Sequence, residues 1–290
     1  MPQTVSPLRY PGGKTQLCNF VKNTIELNNI TDTVYCEPYA GGCGVGLKLL
    51  LTGSVNEIII NDYDPAIFNF WRAVLEDTDA FITLISQTEV TIKEWHRQKE
   101  IYELHGKTIG SLEGAFATFF LNRTNVSGII SGGPIGGKSQ QGKYKLDCRF
   151  NKKTSINKIK EISHYRDQIT LFNVDACELV DILKSNYDQN NLFIFFDPPY
   201  YEQGKSLYLS FYNHKQHIEV RDKILSLEDW YWILTYDKTP QISDLYSGAK
   251  QAYEYNLTYS ANKKRVAQEY IFASPKLTLE SSDKVELTKI

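Results

Sequence analysis

Cysteine is scarce in this chain, and its five copies do not pair off. Cys18, Cys36, Cys43, Cys148 and Cys177 are odd in number, scattered, and form no CxxC motif. That argues against both a disulfide framework and a zinc knuckle. Long apolar runs are missing too, since none approaches the ~20 residues of a membrane span. The opening Met1-Pro2-Gln3-Thr4-Val5 lacks the charged and then apolar segments of a secretory signal. Excess positive charge is also absent: 32 Lys and Arg against 34 Asp and Glu leave a net charge of −2 over 290 residues. On that sum the whole molecule is not a uniformly basic nucleic-acid binder. With 42% hydrophobic and 23% charged residues, the expectation is an ordinary globular protein, soluble and cytoplasmic, with no membrane and no metal.

What is present is alternation. Thr33–Cys36 reads as a strand, followed by a glycine-rich turn and the helical Val45–Leu51. Glu57–Asn61 reads as the next strand, with a helix from about Pro65 to Glu76. Such alternation implies a parallel sheet. A helical pattern then runs through 78–122, and 124–153 is rich in Gly, Ser, Asn and Lys, as in an extended loop or hairpin. Strand patterns resume at 169–174, 192–196 and 230–236. Two further strands, around 252–259 and 269–273, are close enough to pair antiparallel. The expected fold is α/β and Rossmann-like, with a seven-stranded mostly parallel sheet. Residues 1–77 and 166–290 would form its main domain, interrupted by an insertion at 78–165.

Three segments carry chemistry. Glu37-Pro38-Tyr39-Ala40-Gly41-Gly42-Cys43-Gly44 follows a strand and opens a helix. Glycines there permit close backbone approach to a ligand, beside the unpaired N–H groups of a helix start; a plain tight turn reads the same way. Asp62 ends the next strand about 20 residues on, where a carboxylate can hold a ribose diol, or cap the helix before Pro65. Asp197-Pro198-Pro199-Tyr200 follows the apolar run 192–196. Its two prolines stiffen the turn. The Asp carboxylate and a proline carbonyl can accept hydrogen bonds from a planar amine, and Tyr200 offers a stacking face; a proline-terminated strand with a surface Tyr is the alternative. Arg9-Tyr10-Pro11-Gly12-Gly13-Lys14 makes a turn of little bulk. Lys14 could reach a carboxylate, although a solvated loop lysine fits as well.

RYPGGK, EPYAGGCGVGL, NDYD and DPPY, in that order, resemble the DNA adenine methylase (Dam-like) family. These are alpha-group, S-adenosylmethionine-dependent, adenine-specific DNA methyltransferases. Phe120-Leu121-Asn122-Arg123 and Leu234-Thr235-Tyr236-Asp237 extend the match to roughly residues 9–273. The resemblance implies a methyltransferase moving a methyl group from S-adenosyl-L-methionine to the 6-amino group of adenine in double-stranded DNA, after base flipping. It implies that Tyr10, Lys14, Glu37, Pro38, Ala40, Gly41, Gly42, Gly44, Asp62, Asp175 and Asp197 bind the cofactor. Asp197, Pro198, Pro199 and Tyr200 would hold the target base. Members that methylate GATC carry an FNVPFG-like stretch after the LNR segment. Ser127–Gly137 stands there instead, so the target sequence does not come with the resemblance. A cytosine 4-amino or RNA amino methyltransferase, or an inactive DNA-binding relative, would share part of the same pattern.

The insertion is the expected DNA reader. Between Lys138 and Lys160 lie eight basic residues and one acidic residue, +7 over 23 positions, enough for several phosphate contacts. Lys138, Lys143, Lys145, Arg149, Lys152 and Lys153 are the candidates, interleaved with Tyr144 and Phe150. Asn122 and Arg123 would contact bases or phosphates, or close a helix, and Lys263 and Lys264 would touch the backbone. His214 and His217, soon after DPPY, could line the site, although surface or helix-cap roles suit them better. The enzyme is expected to act as a monomer on DNA, and a cognate restriction endonuclease is a partner that the chain itself does not record.

Overall fold

Several strands of this chain are apolar at consecutive positions, which requires a sheet covered on both faces. Leu192–Phe196 is buried throughout, as are Ile58, Ile59 and Ile60. The computed structural model describes residues 4–10, 13–201, 212–259 and 265–290. In it β1 (Val34–Glu37), β2 (Glu57–Asn61), β3 (Ile169–Phe172), β4 (Leu192–Phe196), β5 (Tyr231–Asp237), β6 (Gln251–Tyr259), β7 (Arg265–Ala273) and β8 (Thr288–Lys289) form one sheet. Their order is β3-β2-β1-β4-β5-β7-β6-β8. Strands β1 to β5 run parallel, and β7 lies antiparallel between β5 and β6. The sheet thus has eight strands rather than the expected seven. The additional β8 is a two-residue pairing with the edge strand β6, too short to leave a periodic pattern.

The strand order reverses between β1 and β4. Connections leave this pair in opposite directions, so a crevice opens at their carboxyl ends, the place where α/β sheets hold ligands. Glu37 closes β1 there, and Asp197 follows directly on β4.

Alternate strand residues feed two cores. Cys36, Ile59, Ile194 and Phe196 face α8 (Ala176–Asn186), α9 (His214–Leu225) and α10 (Pro240–Leu245). Tyr35, Ile58, Ile60, Phe193 and Phe195 face α1 (Cys18–Leu27), α2 (Gly44–Leu51) and α3 (Pro65–Leu75). Local signals set these helices: Asp64 accepts from Ala66 N–H ahead of Pro65, and Asn213 with Gln216 forms a capping box on α9.

The second core continues into the insertion without a break. Here α4 (Thr78–Gln87), α5 (Ile92–His105), α6 (Leu112–Thr124) and α7 (Lys152–Ser163) pack on α3 and on one another. Phe119 of α6 has ring centroids 6.0 Å from Phe70, 5.7 Å from Phe81 and 5.5 Å from Phe150. Phe150 is therefore a core residue and not an aromatic offered to nucleic acid. Each such buried ring contributes roughly 1.5–3 kcal/mol.

Asn122 is a further correction. It is 1% exposed. Its carboxamide accepts from Arg9 N–H at 2.8 Å and donates to the carbonyls of Arg9 and Gly128, both at 2.9 Å. It ties the N-terminal segment to the end of α6 and the following loop, and it has no route to a base. Gly128 belongs to the same node: at φ +80°, a Cβ would stand 2.2 Å from the Arg9 carbonyl oxygen. We expect Asn122→Ala to strand these three backbone groups and to lower the unfolding free energy by about 2–4 kcal/mol, measured by urea denaturation. A loss within about 0.5 kcal/mol would remove the node from the fold's supports.

Candidate active site

At the carboxyl end of β4, the side chain of Asp197 is 20% exposed. Lys14 Nζ donates to both its oxygens, at 2.9 and 3.0 Å, and Thr235 Oγ1 of β5 donates to one of them at 2.7 Å. Lys14 is 4% exposed, so the solvated-lysine reading fails and the carboxylate-reaching one holds. Pro11 and Gly12 of its turn lie outside the described residues.

Lys14 Nζ also donates to Tyr200 Oη at 2.6 Å and stands 3.9 Å from Glu269 Oε2. Tyr200 donates in turn to Glu269 Oε1. Its side chain is buried, with the ammonium 4.9 Å from its ring centroid. The structure therefore does not present Tyr200 as an open stacking face. It serves here as the link between Lys14 and Glu269.

Burial pulls the Lys14 pKa down, but Asp197, Glu269 and Asp237 together outweigh that and raise it, so the ammonium stays charged. Asp197 is raised by burial and by Glu269, against the opposing effects of Lys14 and the Thr235 hydrogen bond.

Beside this cluster lies the loop after β1. Glu37, buried, accepts from Gly46 N–H at 2.8 Å and from the Tyr35 hydroxyl at 3.1 Å, which anchors the first turn of α2. Burial pushes its carboxyl up to about 7, only partly offset by those bonds. Gly41 has φ +48°, and a Cβ there would fall 2.5 Å from the Tyr10 ring. Tyr10 packs on Gly42 as well, so these glycines make room for the protein's own N-terminal segment. Gly44 opens α2. The Ala40 N–H donates to Asn61 O, and Asn61 Nδ2 donates to the carbonyls of Pro38 and Val174, at 2.8 and 3.1 Å.

Asp62 is half-buried and accepts from Gly41 N–H at 2.8 Å and from Asp64 N–H at 3.0 Å. It does not cap the next helix; Asp64 does. Burial, with Asp64 nearby, raises Asp62 to about 7. Asp175 caps α8 through Cys177 N–H, at the same edge after β3. Lys14, also a cofactor candidate, donates to Asp197 and Tyr200.

Glu269, to which sequence reasoning gave no role, completes the site, together with Thr235 and Asn61, which it quoted only inside the Leu234–Asp237 and Asn61–Asp64 segments. Glu269 left one signal, a carboxylate at the start of the strand expected over 269–273, and it lies inside β7. His217 is buried, not at the surface. Its Nδ1 lies 2.7 Å from Tyr236 Oη, and burial lowers its pKa to about 4. Among the DNA candidates, Lys138, Lys143, Lys145, Arg149 and Lys153 are exposed. Lys152 donates to Ser86 O at 2.8 Å. Arg123 is largely buried and donates to Pro7 O at 3.3 Å, so it closes the helix end against the N-terminal segment. Lys263 and Lys264 lie outside the described residues. Among the described residues there is no group of three or more His, Cys, Asp or Glu able to hold a metal, and no helix long and apolar enough to cross a membrane.

The model of the D12 class N6 adenine-specific DNA methyltransferases matches residues 10–270. Over 211 residues the chain is 25% identical to the Type II methyltransferase M.MjaIII of Methanocaldococcus jannaschii, covering 69% of this chain and 70% of that protein. Solved structures similar to it include the rRNA methyltransferase aviRa from Streptomyces viridochromogenes, at 10% identity and a TM-score of 0.40 over 91% of this chain and 86% of that one. A human methyltransferase 10 domain containing protein is similar at 13% identity and a TM-score of 0.37, over 94% and 84% of the two chains.

The raised pKa of Glu37 has a consequence for stability. Between its ordinary value of 4.5 and about 7, the folded chain keeps a proton that the unfolded chain releases. Stability from this group is therefore present at low pH and lost as pH rises through that window, by on the order of 3 kcal/mol. His217 works in the opposite sense, being neutral when folded down to about 4, so comparison with a variant is needed to isolate Glu37. We expect Glu37→Gln to gain stability relative to the parent as pH rises from about 5 to 8. Urea denaturation at both pH values checks this, and a pH-independent difference would refute it.

Proposed function

The chain belongs to the D12 class N6 adenine-specific DNA methyltransferases, and on that premise we propose how its site works. A methyl group from S-adenosyl-L-methionine goes to the 6-amino group of an adenine swung out of duplex DNA, at the crevice between β1 and β4. The observation that carries this reading is Asp197: a carboxylate just past a central strand, stiffened by Pro198 and Pro199, one-fifth exposed and braced by Lys14 and Thr235.

The residues present fit a cationic donor. Glu37 and Asp62 line the loop after β1 and the end of β2, and burial holds both carboxyls near 7. A neighbouring cation favours their ionised forms. Asp62 retains lone pairs for the hydroxyls of a ribose beyond the two backbone N–H groups it accepts. When bound, the donor supplies a methyl group already activated on sulfur.

The adenine amine needs help as a nucleophile, because its lone pair is delocalised into the ring. Asp197 and the Pro198 carbonyl accept its two N–H groups and favour a more tetrahedral nitrogen. Rate is then gained by positioning and local electrostatics. Extracting the base costs a few kcal/mol. The exposed cations Lys138, Lys143, Lys145, Arg149 and Lys153 draw the phosphates to the insertion. The enzyme acts as a monomer on double-stranded DNA, and a cognate restriction endonuclease is its natural counterpart.

Two outcomes test this. Asp197→Ala keeps DNA binding and loses methylation by on the order of 10²-fold or more, read by transfer of labelled methyl groups to adenine; turnover near the parent rate would sink the assignment. Replacing Lys143, Arg149 and Lys153 together by Gln flattens the dependence of log K on log salt by about 2–3 in slope. An unchanged slope in a titration of DNA binding would place the DNA elsewhere.

A further inference from the structure

Asp197 has a conflict to resolve. Both its oxygens accept from Lys14, and one accepts from Thr235 as well. To receive an amine N–H with good geometry, the carboxylate must release one of its bonds to the ammonium. A buried lysine that gives up a carboxylate without finding another is left as an uncompensated charge, which is strongly unfavourable.

The second carboxylate is already in place. Glu269 is 1% exposed and lies opposite Asp237 of β5 and Tyr255 of β6 in the antiparallel register. Its oxygens accept from the hydroxyls of Tyr200 and Tyr255, the latter at 2.5 Å. Lys14 Nζ stands 3.9 Å from Glu269 Oε2, about 1 Å beyond hydrogen-bond length. Tyr200 Oη bridges the two groups, accepting from Lys14 while donating to Glu269.

We propose that Glu269 is a positioning residue that receives the Lys14 ammonium when the target amine engages Asp197. Lys14 then has two stations, Asp197 before the base arrives and Glu269 afterwards. The exchange moves the ammonium from one carboxylate to the other and transfers no proton, so it leaves the charge of the site unchanged. The alternative, a charge network kept for stability, is disfavoured by the general weakness of buried ion pairs as stabilisers relative to apolar packing. The proposal rests on the methyl-transfer reading of the site.

A ternary structure tests it with the unaltered chain, bound to duplex DNA and to S-adenosylhomocysteine. The expected result is an adenine amine on Asp197 and Lys14 Nζ within about 3.2 Å of Glu269. An adenine seated on Asp197 while Lys14 still holds both carboxylate oxygens would overturn the proposal. No adenine at Asp197, together with no methylation by the parent, would instead defeat the methyl-transfer reading.

Kinetics of Glu269→Gln give an independent measure. We expect kcat to fall about ten-fold or more, with the cofactor Kd within about two-fold of the parent. The alkaline limb of the kcat–pH profile should also move to lower pH, because Lys14 has lost a counter-charge. A purely structural residue would lower the folded fraction and leave that limb where it is, and a superimposable pH profile would likewise overturn the proposal.

Discussion

The pairing of Lys14 with Asp197 is the constraint to which much of this structure answers. The two residues are 183 positions apart, and the lysine is almost wholly buried. Such a charge persists only where its carboxylate is held in place and its own backbone is tied down. The carboxylate is placed by β4 and stiffened by the prolines that follow. The lysine end is held by the segment before it. Lys158 donates to the carbonyls of Thr4 and Ser6, Arg123 to that of Pro7, and Asn122 bonds Arg9 on both sides of its peptide unit. Tyr10 then lies on Gly41 and Gly42, so the glycine loop is shaped from above by the N-terminal segment that carries the lysine.

Much of the fold was legible because its strands are short apolar runs between turn residues, and because each chemical motif follows one of them. The run Leu192–Phe196 places Asp197, Glu57–Asn61 places Asp62, and both lie at the carboxyl edge of the sheet as such positions should. Long-range partners were not legible. That Lys14 meets a carboxylate could be conceived from the turn before it, but not which one. Glu269 sits in a strand of mixed pattern, and its place beside Lys14 emerges only when β7 inserts between β5 and β6 and sets it opposite Asp237 and Tyr255. Asn122 misled for the same reason. An amide beside an arginine at a helix end looks suited to nucleic acid until its three bonds to backbone are seen.

The charge balance of −2 averages two unlike regions. Without Lys138–Lys160 the remainder sums to −9, and acidic groups gather where the sheet opens: Glu37, Asp62, Asp175, Asp197, Asp237 and Glu269. Burial leaves Glu37 and Asp62 near 7, so a cation arriving beside them gains by restoring their charge. The insertion carries Lys138, Lys143, Lys145 and Lys153 exposed, as the proposed contact with a polyanion requires. On the proposed function, one chain would thus accommodate a positively charged donor and a negatively charged substrate without either repelling its own site.

These two regions must also keep a fixed relation, since a base delivered about 1 Å off line loses much of the benefit of positioning. The packing supplies that relation directly. Phe119 and Phe120 of the insertion share one core with Phe70 of α3, which follows the strand ending at Asn61. Asn122, at the end of the same insertion helix, grips Arg9, five residues before Lys14. The surface expected to meet DNA and the lysine on Asp197 are therefore joined through a few side chains rather than across a hinge. Looser packing between α6 and α3 would allow the insertion to bind DNA while the flipped base missed Asp197, which is why a segment that reads as an insertion in the sequence is built into the core of the catalytic sheet.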